Sequence, residues 1–168
     1  MAAAVTIGKC GATVSIKAVH GFDKLGLEEA TNIIYQIVIP ECEKKRVMLS
    51  FYGNHNSKGG FWGVKKYNEM KDKKELFEAG LIQRIQRVFS FISQHCRKQS
   101  SYNEQNTSYG LKHIVENHIG YITNGEFIVA MLLHGYSARF GKRTEKMDIN
   151  AQFKVKIEEP DNDSKTKE

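Results

Sequence analysis

Hydrophobic and polar positions along the chain change period several times. Residues 12–20, ATVSIKAVH, alternate, with Val14, Ile16 and Ala18 on one side and Thr13, Ser15 and Lys17 on the other. Alternation predicts a half-buried strand, closed here by Gly21. Residues 25–38, LGLEEATNIIYQIV, switch to helical period, with Leu27, Ala30, Ile33, Ile34, Ile37 and Val38 on one face. Glu28 and Glu29 favour a first helical turn electrostatically, and Pro40 limits the far end. Residues 46–53, RVMLSFYG, alternate again, and 61–67, FWGVKKY, read as the next strand. The intervening NHNSKGG has turn composition, so the pair predicts a hairpin with a long tip.

A long helix is predicted over 72–98, where Leu81, Ile82, Ile85, Val88, Phe89, Ile92 and Cys96 share one side. Asp72 and Glu75 are spaced as a capping box, and Gly80 marks a break or kink. A further helix covers 109–119, with Leu111, Ile114, Val115, His118 and Ile119 on one face and Gly120 at its end. The stretch YITNGEFIVAMLLHGY, 121–136, is the most sharply bounded. Thr123 and Glu126 form a capping box, Ile122 and Phe127 a hydrophobic staple, and Gly135 a left-handed stop behind which Tyr136 packs back on Met131. The helix between is apolar all round, which predicts burial. Residues 148–159, DINAQFKVKIEE, alternate most cleanly, with Ile149, Ala151, Phe153, Val155 and Ile157 on one side.

With the 109–136 helical pair set aside, the order is β-α-β-β-α-β, the split-βαβ arrangement. The expected fold class is α+β, with a ferredoxin-like antiparallel sheet and the helical pair inserted before its last strand. Residues 1–157 form one domain on this reading, and 158–168 a disordered, charged tail.

Charge sharpens the picture. The chain is +6 overall, and EEPDNDSKTKE at its end carries −3, which leaves +9 on the remainder. Such an imbalance points to an anionic partner, most often nucleic acid. Cys10, Cys42 and Cys96 are odd in number and include no Cys-x-x-Cys pair, which argues against a disulfide scaffold. No apolar run reaches the ~18–20 residues of a membrane span, and no signal peptide is read at the start. A cytoplasmic protein is expected, with the nucleus open to it and no membrane partner. No cofactor or metal is expected.

Three groups of residues could carry function. The polar sheet face would present Lys17, Ser15, Tyr52, Ser50, Gln152, Lys154 and Lys156, joined by Phe61, Lys65 and Tyr67 or by Trp62, Val64 and Lys66. Rings stack on unpaired bases and ammonium groups meet phosphates, which is the chemistry of single-stranded RNA binding. In topology and in this chemistry the chain resembles an RNA recognition motif. KGGFWGVKKY departs from that family's third-strand pattern at Trp62 and Gly63, so no base-binding role transfers. A second group, Arg84, Arg87, Phe91, Gln94 and Lys98, recurs at helical intervals and could track a phosphate backbone. In the third, SARFGKR, Arg139, Lys142 and Arg143 flank Phe140 in a glycine-containing turn.

The six histidines show no metal spacing, and no nucleophile elbow, phosphate loop or dinucleotide fingerprint is present. His113 and His118 are five residues apart and face differently. A recognition helix must offer polar side chains to base edges, and FIVAMLL offers none, so DNA reading by that element is excluded.

Residues 106–136 resemble segments of small uncharacterised proteins of viruses and phages. Tyr109, Gly110, Leu111, Lys112, His113, Glu116, Tyr121, Asn124, Gly125, Phe127, Ile128, Gly135 and Tyr136 carry the likeness. It implies a viral accessory protein in an infected cell, with host cytoplasm as its place, and no transferable activity. The leading expectation is a non-enzymatic, basic domain binding RNA or single-stranded nucleic acid. In it Arg84, Arg87, Lys98, Lys154 and Lys156 meet phosphate and Tyr52 and Tyr67 stack. The alternatives are a protein-interaction module, such as an antagonist of a host factor, and a histidine-dependent nuclease.

Overall fold

A computed structural model describes residues 11–57, 62–143 and 146–161; the side chains of residues 142–146 lie outside that description. The chain folds as α+β around one helix. That helix, α6 (Asn124–Leu133), is buried at every one of its ten residues. Its ends carry the chemistry that the sequence dictates. Thr123 Oγ1 accepts from the Glu126 amide while a Glu126 carboxylate oxygen accepts from the Thr123 amide, closing the capping box. At the far end Gly135 has φ 84°, its amide donates to Leu132 O at 2.8 Å, and the Tyr136 amide donates to Met131 O at 3.1 Å. This is a Schellman stop.

Around α6 pack α4 (Ala79–His95), α5 (Ser108–Ile119) and the helix begun by α1 (Leu27–Ile33). Ala30, Ile34, Val38, Ile39 and Cys42 give α1 and its continuation a buried side. The helix does not stop before Pro40. It widens into a π-turn over Ile34–Val38, where the Ile39 amide reaches Ile34 O, and runs on as α2 (Ile39–Lys44). Proline lacks an amide and its ring collides with the carbonyl four residues back, and one π-turn accommodates both conditions.

The opposite layer is an irregular sheet. β1 (Ala12–Val14) pairs antiparallel with β5 (Ala138–Phe140). Arg139 and Gln152 exchange backbone hydrogen bonds of 3.0 and 2.8 Å, which joins β5 to the 151–157 segment. That segment ends in β8 (Val155–Ile157), which pairs antiparallel with β4 (Cys96–Lys98). Ala151, Phe153 and Val155 face the core as alternation predicts, although only three residues of the 148–159 stretch form a strand. β2 (Leu49–Ser50) and β3 (Gly53–Asn54) form a separate tight hairpin, and β6 (Lys142–Arg143) pairs with β7 (Lys146–Met147).

The ferredoxin-like sheet is therefore not formed among the described residues, which pair only as two-stranded ladders. Three local outcomes account for this. The expected third strand is instead α3 (Val64–Asp72), an exposed helix that buries Tyr67 and half-buries Met70 on one side. Its seven alternating residues were too few to outweigh the helix formers that follow. The 46–53 strand already turns back at Phe51–Tyr52 and docks on α6 through the Gly125 amide to Phe51 O, 2.8 Å; residues 58–60 of the expected 54–60 turn lie outside the described residues. The segment read as a basic turn, 137–143, contains β5, which takes up β1.

The long helix also divides. Asp72 closes α3, Lys74 adopts φ 57°, Leu76 and Phe77 insert into the core, and α4 starts only at Ala79. Asp72 and Glu75 are thus outside α4, and Gly80 lies in its first turn, not at a kink. Glu158 and Glu159 are held against the fold. The Glu158 amide donates to His95 O at 2.6 Å, Arg97 pairs with Glu158 at 2.9 Å and His118 with Glu159 at 2.9 Å. Residues 162–168 lie outside the described residues. Among the described residues no helix is long and apolar enough to cross a membrane.

Candidate nucleic-acid interface

Three cations that are distant in sequence come together on the sheet side of the molecule. Tyr102, in the loop after β4, is the common partner of two of them, Arg139 and Lys154. The Arg139 guanidinium carbon lies 3.5 Å from the Tyr102 ring centroid and the Lys154 ammonium 5.1 Å from it. Two Arg139 nitrogens donate to Gln152 Oε1, at 3.0 and 2.6 Å, which fixes the guanidinium over the ring. Lys98 stands on the other side, 5.4 Å from the Tyr136 ring centroid and 3.5 Å from Gly135 O. Lys98 and Lys154, with Tyr102, Tyr136 and Ser137, line an open cavity of about 260 Å³ that has no acidic residue in its wall among the described residues. Ser15 and Ser137 share a hydroxyl hydrogen bond of 2.6 Å beside it. Burial pushes the Tyr136 phenol up to about 12, so it remains a protonated donor at neutral pH.

The backbone explains the convergence. Arg139 is held opposite Thr13 by the β1–β5 register and opposite Gln152 by the bridge. The Gln99 amide donates to Lys154 O at 3.1 Å and the Asn103 amide to Phe153 O at 2.9 Å, which carries Tyr102 alongside Lys154. The Schellman stop of α6 delivers Gly135 and Tyr136 to the same place.

The other expected contacts are dispersed. Lys17 is exposed on the extended chain after β1, and Lys156 is exposed on β8, where it registers with Arg97. Arg84 does not face solvent as part of a stripe. Its guanidinium donates to both oxygens of buried Glu126, at 2.6 and 3.2 Å. Phe91 is buried as well, so the stripe from Arg84 to Lys98 is interrupted, although Arg87 itself is exposed. Tyr67 is buried with its hydroxyl donating to Leu49 O at 2.9 Å and offers no ring face for stacking. Tyr52 is half exposed but belongs to a different cavity, at the start of α6. The backbones of Lys142 and Arg143 form β6, and their side chains lie outside the described residues. With α6 wholly buried, the helical pair presents only the outer side of α5 as a surface for a protein partner.

Tyr102 was not singled out in the sequence, where it is one aromatic residue in the polar loop QSSYNEQN. A lone ring in a loop of polar residues, four positions past the end of β4, is the local signal that marks it. The histidines stay apart. His113 Nδ1 pairs with Glu116 at 2.5 Å, while His118 stacks on Phe91 with centroids 5.6 Å apart. Among the described residues no three His, Cys, Asp or Glu side chains gather as metal ligands. The chain matches no protein-family model, no curated protein and no solved structure.

Proposed function

We propose that the protein binds single-stranded nucleic acid, RNA foremost, along the groove between Lys98, Arg139 and Lys154. The observation that supports this reading is a cavity walled by Lys98, Lys154, Tyr102 and Tyr136, with Arg139 stacked on Tyr102 and no acidic residue among the described residues of its wall. Lysine ammonium groups and an arginine fork neutralise phosphates, and Tyr102 with its overlying guanidinium provides a planar platform beside them. The +9 carried by residues 1–157 gives the long-range attraction that brings a polyanion to the groove.

The test is the affinity of a labelled single-stranded RNA at two salt concentrations. Log affinity should fall linearly with log salt, by about 0.7 for each phosphate neutralised on a single strand. Lys98→Glu with Lys154→Glu should weaken binding and reduce that slope, and both positions are exposed, so the fold tolerates them. Absence of binding at low salt, or binding indifferent to salt, overturns the proposal.

A further inference from the structure

A second cavity, of about 320 Å³, opens at the N-terminal end of α6. Its wall is unlike that of the groove. Phe51, Tyr52, Tyr109 and Tyr121 line it, and the three tyrosines are 46%, 52% and 66% exposed. Large exposed rings clustered around one opening are costly to leave in water and mark a binding surface. Asn124 forms part of the same wall, and its carboxamide is only half used. Nδ2 donates to Tyr52 O at 3.2 Å and to Asn150 Oδ1 at 2.9 Å. Because Tyr52 O can only accept, the amide orientation is fixed. Oδ1 is then left buried with no partner among the described residues. A buried carbonyl oxygen without a donor is unfavourable, and a ligand bringing an N–H or O–H to it relieves that cost.

The charges at this cavity are already balanced. The Lys112 ammonium lies 5.4 Å from the Tyr109 centroid and 5.2 Å from that of Tyr121, but donates to Glu116 Oε2 and to Ile122 O, both at 3.2 Å. Arg84, 5.4 Å from the Tyr121 centroid, is taken by Glu126. Among the described residues, a phosphate would find no unneutralised cation here. The cavity instead selects a flat, uncharged ring system with a donor on its edge.

We propose that this cavity receives one unpaired nucleobase carrying an amino group, stacked among Tyr52, Tyr109 and Tyr121, with the amine donating to Asn124 Oδ1. The choice of a nucleobase among flat donors rests on the nucleic-acid reading of the groove; the cavity, its rings and its free acceptor do not. Its volume is that of a site for one small ring system and its sugar, at the lower end of small-molecule sites.

Adenosine and purine riboside distinguish the idea, since they share ring and sugar and differ by the exocyclic amine. Calorimetric titration of the full chain should give saturable one-to-one binding of adenosine, with purine riboside weaker by about tenfold or more. Asn124 also ties α6 to Tyr52 and Asn150, so its removal risks the fold. Tyr121→Ala, at the most exposed ring, provides the folded variant, and should lower adenosine affinity by about tenfold with an unchanged melting curve. Equal binding of the two nucleosides, an unaffected Tyr121→Ala variant, or no saturable adenosine binding through the millimolar range overturns the proposal. Salt-dependent RNA binding without adenosine binding would leave the groove standing and remove the pocket. Adenosine binding without RNA binding would do the reverse.

Discussion

Ser50 and His55 show how burial decides what a side chain can do. Ser50 Oγ and His55 Nε2 are hydrogen-bonded, the contact of a nucleophile with its base. Yet both are buried, His55 stacks on Trp62 with centroids 4.1 Å apart, and its Nδ1 has no acidic partner among the described residues. Burial pushes the His55 imidazole down from 6.5 to about 4, so it stays neutral at physiological pH. Burial likewise lowers His134, stacked on Phe89 at 3.8 Å with Nε2–H donating to Phe89 O. Both rings must charge more readily in the unfolded chain than in the folded one. In that case the unfolded state binds more protons between the two pKa values. Their contribution to stability is therefore full above about 6.5 and is lost as pH falls below it, for His55 through the window toward about 4. The urea midpoint should drop between pH 7 and pH 4.5, and His55→Gln, which retains a hydrogen-bonding side chain for Ser50 but cannot titrate, should flatten part of that drop. An unchanged pH profile in this variant would mean that His55 is charged in the fold.

Single elements differ in how far their own residues specify them. Helix α6 was legible in full because both of its ends are written in local chemistry. Thr123 and Glu126 need only each other, and Gly135 needs only its freedom at φ 84°. Helices α4 and α5 were legible in their buried faces but not in the start of α4, which is set by Leu76 and Phe77 entering the core. The strands were least legible, since a partner 128 residues away in the Ala12–Phe140 pair leaves no local mark. Within the stretch read as the 61–67 strand, residues 64–67 became helix. Packing at the α6 N-terminus gives a graded prediction. A Cβ on Gly125 would meet Ser50 O at 1.8 Å, a backbone atom that cannot yield unless the β2–β3 hairpin moves. Gly125→Ala should cost about 3 kcal/mol or more. Arg84→Ala strands the buried Glu126 carboxylate and should cost about 3–5 kcal/mol. Thr123→Ala removes one capping bond, for about 1 kcal/mol. Urea denaturation of the three variants checks the order, and a Thr123→Ala loss equal to the Arg84→Ala loss would contradict the weight given to the ion pair.

At the scale of the molecule, α6 joins the two sites. The groove meets its C-terminal end at Gly135 and Tyr136, and the aromatic cavity meets its N-terminal end at Thr123 and Asn124. Ten residues of α-helix span about 15 Å, the reach of about five nucleotides at the ~3.4 Å phosphate spacing of a stacked strand. The sequence named Lys98, Arg139 and Lys154 through charge, but it placed them on a helix stripe, in a turn and on a sheet face. Only the pairing of β5 with the 151–157 segment, and of that segment with β4, puts them in one groove. Tyr109, Tyr121 and Asn124 appear in the sequence as helix and cap residues, and nothing local shows that Phe51 and Tyr52 close over them. If one strand occupies both openings, the second contact is intramolecular and multiplies affinity without new chemistry. Decaadenylate should then bind about a hundredfold more tightly than the adenine dinucleotide, well beyond the gain from its larger number of registers. Tyr121→Ala should remove most of this length dependence and leave the salt slope unchanged. Lys98→Glu with Lys154→Glu should reduce the slope and leave free adenosine binding unchanged, because exposed sites this far apart act additively. A length dependence that persists in Tyr121→Ala would place both contacts in the groove.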